Sequence, residues 1–263
     1  MAAIVPQRLT KAGIRGFAIR KALDGELFDL AKPYQFDRFL GSCDRFAEIA
    51  HAFKGKTRVL DVGSEGGILL SLLSELGHEC HAVDITDDPA AFPEVYVKKG
   101  IRFSFCNVEV DRLPYPDDYF DALSCCQCLE HFTHSHLPAL QEFIRVLKPG
   151  GLLEIDVPNV ASFRNRSRLM RGKNITYDYE KHYLNEKPIM YNGLHFYPFR
   201  HNREFTRDEL EILFRRAGFR EIRVGFLRSR RVRFGWARFR SIGTWIRDLA
   251  PGMRKSLIGF GKK

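Results

Sequence analysis

The chain has 263 residues, 44% of them hydrophobic with 22 Phe, and a formal net charge of +10. That length suits one α/β domain with insertions or two small domains, of which a single repeating βα pattern favours the first, and the apolar fraction is ample for a core. No apolar run approaches the roughly 18 to 20 residues of a membrane span. The start lacks the apolar stretch of a secretory signal, so a cytoplasmic location is expected. The charge is uneven: residues 220–263 carry 13 Lys/Arg against 2 Asp/Glu, which leaves the rest close to neutral. Six cysteines, Cys43, Cys80, Cys106, Cys125, Cys126 and Cys128, are scattered over predicted helix and strands. They are expected to be free thiols, because Cys125 and Cys128 have no second pair with which to complete a zinc site.

In chain order, residues 8–23 are basic and helix-compatible, with Leu9, Ile14, Phe17 and Ile19 among Arg8, Lys11, Arg15, Arg20 and Lys21. A lid or interfacial helix and a solvated arm both fit; residues 1–35 are taken as a basic N-terminal arm ahead of a domain over 36–263. Phe36, Phe39, Leu40, Phe46, Ile49 and Ala50 predict a helix over 36–53. A strand at 57–62 opens into Gly63, Ser64, Glu65, Gly66 and Gly67, after which Ile68, Leu69, Leu72 and Leu73 recur at helical spacing over 66–76. Glycine is needed in such a turn where φ is positive or a ligand approaches bare backbone. The free N–H groups of the helix start then face whatever lies above. A second strand at 80–84 ends in Asp84, whose carboxylate can take both hydroxyls of a ribose.

A helix near 90–99, strands at 101–106 and 119–125, a helix at 137–147 stopped by Pro149 and Gly150, and a strand at 151–157 continue the alternation. Strands alternating with helices of this length argue a parallel sheet covered on both faces. Residues 158–203 break the rhythm: they are polar, basic and rich in Tyr and His, and too long for a plain connection, so a substrate lid is expected. Thr206 with Glu209 predicts a capping box, and the helix it opens ends at Gly218 before a strand at 220–226. Within 228–251, Val232, Trp236, Phe239, Gly243 and Ile246 lie on one helical stripe with arginines on both flanks. That is the composition of a helix lying on an anionic lipid surface; a helix packed on its own domain is the alternative.

RVLDVGSEGG at 58–67, Asp84, Asn107, LPYPDDYFD at 113–121, LEH at 129–131 and VLKPGG at 146–151 resemble, in that order, the class I S-adenosylmethionine (SAM)-dependent methyltransferases. The resemblance covers roughly residues 36–226. It implies a Rossmann-like, seven-stranded, mostly parallel sheet with an antiparallel last strand and helices on both faces. A lid insertion would follow the fifth strand, and an amphipathic insertion would separate the sixth from the seventh. It also implies SAM as cofactor. Asp61, Gly63, Ser64 and Gly67 match the turn, Asp84 and Ile85 the ribose end, Asn107 and Val108 the adenine end, and Cys126 and Gln127 the floor beneath the methionine part. Asn107 stands where the family has Asp, and its amide oxygen is expected to accept from the adenine amino group. Glu65 takes the place of the family's middle glycine, so its side chain must point away from the ligand.

Methyl transfer asks mainly for proximity and alignment, plus a base where the acceptor is a hydroxyl. His131 closes the LEH motif beside the expected methyl group, and His195 and His201 are rival bases. His131, His134 and His136 sit on a loop leading into a helix and are expected to point apart, so no metal is predicted. DVPNVASFRNR at 156–166 resembles methyltransferases of cell-surface polysaccharide and glycolipid synthesis. The expected reaction is O-methylation of a saccharide or lipid-linked glycan, with peripheral contact at the inner face of an anionic membrane. A polyprenyl quinone or other lipid is the alternative acceptor. A nucleic-acid-binding protein is a further reading, disfavoured because the arginines of 228–251 interleave with an apolar stripe, and a non-catalytic SAM-binding scaffold is a third, motivated by Glu65.

Overall fold

The computed structural model describes residues 9–28, 33–85, 94–176, 178–228, 232 and 250–263. The expected strands form β1 (Arg58–Val62), β2 (Glu79–Asp84), β3 (Arg102–Phe105), β4 (Phe120–Cys126) and β5 (Leu147–Pro158). A hairpin of β6 (Ile189–Tyr191) and β7 (Leu194–Phe196) follows, then β8 (Arg220–Leu227) and β9 (Ser256–Lys262). Seven strands make one sheet in the order β3-β2-β1-β4-β5-β9-β8. The first five pair in parallel, and β9 runs antiparallel to both β5 and β8. Strand order reverses between β1 and β4, and an open α/β sheet offers its ligand crevice at the carboxyl ends of the strands flanking that reversal.

β5 begins earlier than its apolar run implies. Phe120 pairs with Leu147 but Ala122 pairs with Leu152, so residues 148–151 bulge out of the ladder. Pro149 has no N–H to donate, and a bulge accommodates it where a regular central strand would not.

The helices are α1 (Lys11–Leu23), α2 (Pro33–Ala52), α3 (Ile68–Glu75), α4 (Glu94–Lys99), α5 (His136–Val146), α6 (Phe163–Leu169) and α7 (Arg207–Ala217). One core joins α1 to α4 to one face of the sheet through residues such as Phe39, Leu72, Val59 and Leu152. The other joins α5 and α7 to the opposite face through Phe143, Phe214, Leu60 and Ile155. α7 starts at the predicted capping box of Thr206 and Glu209 and ends at Gly218 with φ 100°.

The N-terminal segment forms α1, capped by Thr10, with Ile14, Ala18 and Ala22 buried. Lys11 and Arg15 pair with Glu48 and Asp44 of α2, so α1 lies against the domain. The segment after β5 forms α6, a π-helical turn at Glu180–Leu184 and the β6–β7 hairpin. The expected amphipathic helix over 228–251 falls almost wholly outside the described residues; Val232, within it, is buried and donates its N–H to the Leu40 carbonyl at 2.8 Å. Among the described residues no helix is long and apolar enough to cross a membrane.

Candidate active site

A cleft of about 690 Å³ opens where β1, β2 and β4 end, walled by α2 on one side and by residues 198–201 on another. The turn after β1 forms its floor. Gly63 has φ 71° and Gly67 has φ 66°. A Cβ on Gly63 would lie 2.4 Å from Cys128 Sγ, and one on Gly67 would lie 2.2 Å from Tyr96 Cε1. Both positions therefore require glycine for conformation and for space. Glu65, between them, is the exception: its φ is 40°, a region L-residues seldom enter. Its side chain turns to an ion pair with Arg38 of α2. Tyr96 seals the turn from α4, donating from its hydroxyl to Ser64 Oγ at 2.8 Å.

Asp84 ends β2 and accepts the Glu65 N–H at 3.0 Å, with Ile85 beside it in the cleft wall. Asn107 is buried, and its side-chain oxygen accepts the Glu109 N–H at 3.2 Å. The oxygen expected to meet an adenine amino group thus holds one hydrogen bond and keeps a second lone pair. The group left without a partner, buried, is the amide Nδ2, a donor suited to an adenine ring nitrogen. This orphan donor and the glycine floor fit the adenosyl end of SAM. Val108 and Cys126 line the same cleft. Gln127 has φ 51° and donates from Nε2 to Asp156 Oδ1 at 2.6 Å.

Beneath α2 the strand register sets Asp61, Ser124 and Glu154 abreast on β1, β4 and β5. Ser124 donates its hydroxyl to Asp61 Oδ1. Asp156, two residues beyond Glu154, meets Arg45 of α2 at 2.9 Å. Glu130, from the short turn Leu129–His131, is buried beside them. Ionised carboxylates without partners are costly in such a place. Burial is the chief cause that pushes Asp61 up to about 7 and Glu130 up to about 8. It also raises Glu154 and Asp156, against the pull of Arg45. Burial thus favours the neutral carboxyls, and a cationic ligand nearby would favour the ionised ones.

His131 Nδ1 lies 2.9 Å from the Arg200 carbonyl oxygen. A carbonyl only accepts, so Nδ1 carries the hydrogen and Nε2 keeps the lone pair. Burial pushes His131 down to about 4, which keeps the ring neutral near pH 7. His201 approaches edge-on with ring centroids 4.9 Å apart, and its Nδ1 lies 3.4 Å from Glu204 Oε1. One ligand-capable atom from each of Glu130, His131 and His201 lies within 4.8 Å of the others, an arrangement that could also hold a metal ion. The structure thus brings together two of the three histidines singled out as bases. His195, on β7, is exposed and is not part of the cleft lining. His134 goes to Glu109 and His136 to the Leu129 carbonyl, so those rings diverge from His131.

Sequence reasoning missed the polar wall of α2. Gln35, Arg38, Ser42 and Arg45 all line the cleft. Their spacing of three and four residues is a helical stripe, legible beside the apolar one. Glu154 and Asp156 were missed for a different reason: strand alternation reads acids in LLEIDV as solvent-facing, whereas a central strand is covered on both faces.

The model of the methyltransferase domain family matches residues 34–224. The ubiquinone/menaquinone biosynthesis C-methyltransferase UbiE of Pseudomonas paraeruginosa is 31% identical over 115 residues, covering 41% of this chain and 44% of that protein. The chain thus spans less than half the length of that relative. An S-adenosylmethionine-dependent methyltransferase from Mesorhizobium loti superposes with a TM-score of 0.56 at 15% identity, covering 85% of this chain and 98% of its own. The 1,6-didemethyltoxoflavin-N1-methyltransferase of Burkholderia thailandensis, solved with bound 1,6-didemethyltoxoflavin and S-adenosylhomocysteine, gives 0.53 at 22%, covering 96% and 88%. At such identities the two superpositions speak to the fold alone, and the family match over 34–224 shows that the chain belongs to the methyltransferase domain family.

Proposed function

We propose that the enzyme methylates a hydroxyl of a saccharide or lipid-linked glycan at the cytoplasmic face of a membrane, with His131 as general base. The supporting observation is the His131–Arg200 hydrogen bond, which fixes the tautomer with the Nε2 lone pair available in the cleft. Bound in the cleft, SAM supplies an electrophilic methyl group. Asp61, Gly63, Ser64 and Gly67 would hold it at the turn, Asp84 and Ile85 at the ribose, Asn107 and Val108 at the adenine, and Cys126 and Gln127 under the methionine part. The excess of carboxyls over cations around Asp61 and Glu130 favours a ligand carrying positive charge.

The acceptor hydroxyl must lose its proton as it is methylated, and a neutral imidazole held by its other nitrogen is suited to take it. Tyr34 and Phe199, both exposed at the cleft, offer faces on which a sugar ring can pack. His201, tied to Glu204, stands next to His131 and completes the polar wall.

A polyprenyl quinone is the second reading, supported by the similarity to UbiE, a ubiquinone/menaquinone biosynthesis C-methyltransferase. Incubation with methyl-labelled SAM and separated glycolipid and quinone extracts tests the proposal. Label in a glycan O-methyl ether, absent with His131→Ala, is the expected result. Label in a quinone ring instead would replace the first reading with the second.

A further inference from the structure

Of the 14 large hydrophobic side chains exposed among the described residues, eight lie between Phe163 and Phe199. They crowd one segment, and its first part is also strongly basic: residues 163–173 hold five Lys/Arg and no Asp/Glu. Met170 is 87% exposed and Leu169 60%. Phe163 and Met170, seven residues apart, share the α6 face opposite buried Asn165, with Arg164 and Arg166 on its flanks. Arg166, Arg168 and Arg171 hydrogen-bond to main-chain carbonyls of their own segment rather than to carboxylates. Their charge is therefore held at the surface without being neutralised there.

We infer that the surface formed by α6 and its C-terminal turn, centred on Phe163 and Met170, with exposed Leu169 at its edge and these arginines around it, seats the enzyme on an anionic phospholipid bilayer. Apolar side chains set among basic ones are what a monotopic element needs: the rings and chains enter the acyl boundary while the cations meet headgroup phosphates. Nucleic acid would satisfy the arginines but leave Leu169 and Met170 in water, so lipid is the better partner.

The seat is mechanically joined to the site. Asn165 donates from Nδ2 to Glu204 Oε2 at 2.7 Å and to the Asn159 carbonyl at 3.3 Å, and Glu204 faces His201. The seat lies in the same connection between β5 and α7 that supplies Phe199 and His201 to the cleft. A headgroup-linked acceptor would enter from that side. The inference rests on the proposed lipid-linked acceptor for its purpose and is separable from it by experiment.

The test is co-sedimentation of the full chain with phosphatidylcholine vesicles with and without phosphatidylglycerol. Binding should need phosphatidylglycerol and weaken with salt. It should fall at least about tenfold in a Phe163→Asp/Met170→Asp variant, since both apolar contacts are lost. SAM affinity of that variant, measured by calorimetry, should match wild type and shows that it is folded. Wild-type sedimentation of the variant, equal binding to neutral vesicles, or preference for nucleic acid at the same ionic strength overturns the proposal. So does loss of binding only in Trp236→Ala/Phe239→Ala, which would place the seat in 228–251. Intact vesicle binding without glycan methylation overturns the acceptor reading alone.

Discussion

The amide N–H of Glu65 donates to Asp84 Oδ2 at 3.0 Å, tying the turn after β1 to the end of β2. The same Glu65 is held at φ 40° while its carboxylate pairs with Arg38. Asp84 thus positions the turn from below, and the backbone at 65 pays a conformational cost to make that bond.

Asp84→Ala should weaken SAM binding about 10 to 100-fold, the loss of one or two charge-assisted hydrogen bonds at about 1.5 kcal/mol each. Asp84→Asn, which keeps an acceptor for the Glu65 N–H, should fall between the two. Isothermal calorimetry measures all three, and unchanged affinity in the Ala variant removes Asp84 from the site.

Gly67→Ala should destabilise the protein by about 1 to 3 kcal/mol, because φ 66° disfavours a side chain and its Cβ would overlap the Tyr96 ring. Adding Tyr96→Ala relieves the overlap but not the backbone. Chemical denaturation should therefore show a smaller cost of Gly67→Ala in the Tyr96→Ala background than in wild type; no loss in the single variant would mean the turn is slack.

Glu130 gives a pH signature of definite sign. Its carboxyl is raised from 4.5 to about 8 by burial, so the folded protein keeps a proton that the unfolded chain releases. Its contribution to stability is present below about pH 4.5 and is lost as pH rises through about 8, by up to about 1.4 kcal/mol per pH unit within that window. Asp61 acts in the same sense. Urea denaturation of Glu130→Gln from about pH 5 to about pH 9 should give a flatter alkaline limb than wild type. Parallel curves would mean that Glu130 is not the group that titrates.

His131→Ala should lower kcat by about 10² to 10⁴ while leaving SAM affinity near wild type, as expected of a base that acts on the acceptor. His195→Ala, outside the cleft, should change neither. A His131 variant with full turnover would transfer the role to His201 or to water.

Local chemistry made the turn and its flanks readable. Gly63 and Gly67 act within a few residues of the end of β1 and Asp84 at the end of β2, and Thr206 with Glu209 announces a helix start that the structure shows with both hydrogen bonds. The family's ordered motifs carried the sheet. What remained hidden depends on long-range assembly. Arg45 reaches Asp156 across 111 positions of chain, and nothing near either residue in sequence announces the other. The docking of α1 is of the same kind: Ile14, Ala18 and Ala22 are small or sparse apolar positions in a basic stretch, and their burial follows from the partner surface of α2. Of the histidines, the LEH motif and the lid offered three bases, and only folding of 197–205 back over Leu129–His131 separates His201 from His195.

β9 is the last strand in chain order yet lies between β5 and β8. During synthesis, then, β8 emerges before its partner β9, and among the described strands none covers that edge of β5 until residues 256–262 leave the ribosome. Up to that moment the nascent chain presents the kind of uncovered strand edges on which aggregation begins. A stop codon before residue 256 would leave the cofactor turn and the histidines encoded in full and still deprive β5 and β8 of the strand that joins them. Every cleft-lining residue among those described precedes 202, yet the strand that joins β5 to β8 follows them all.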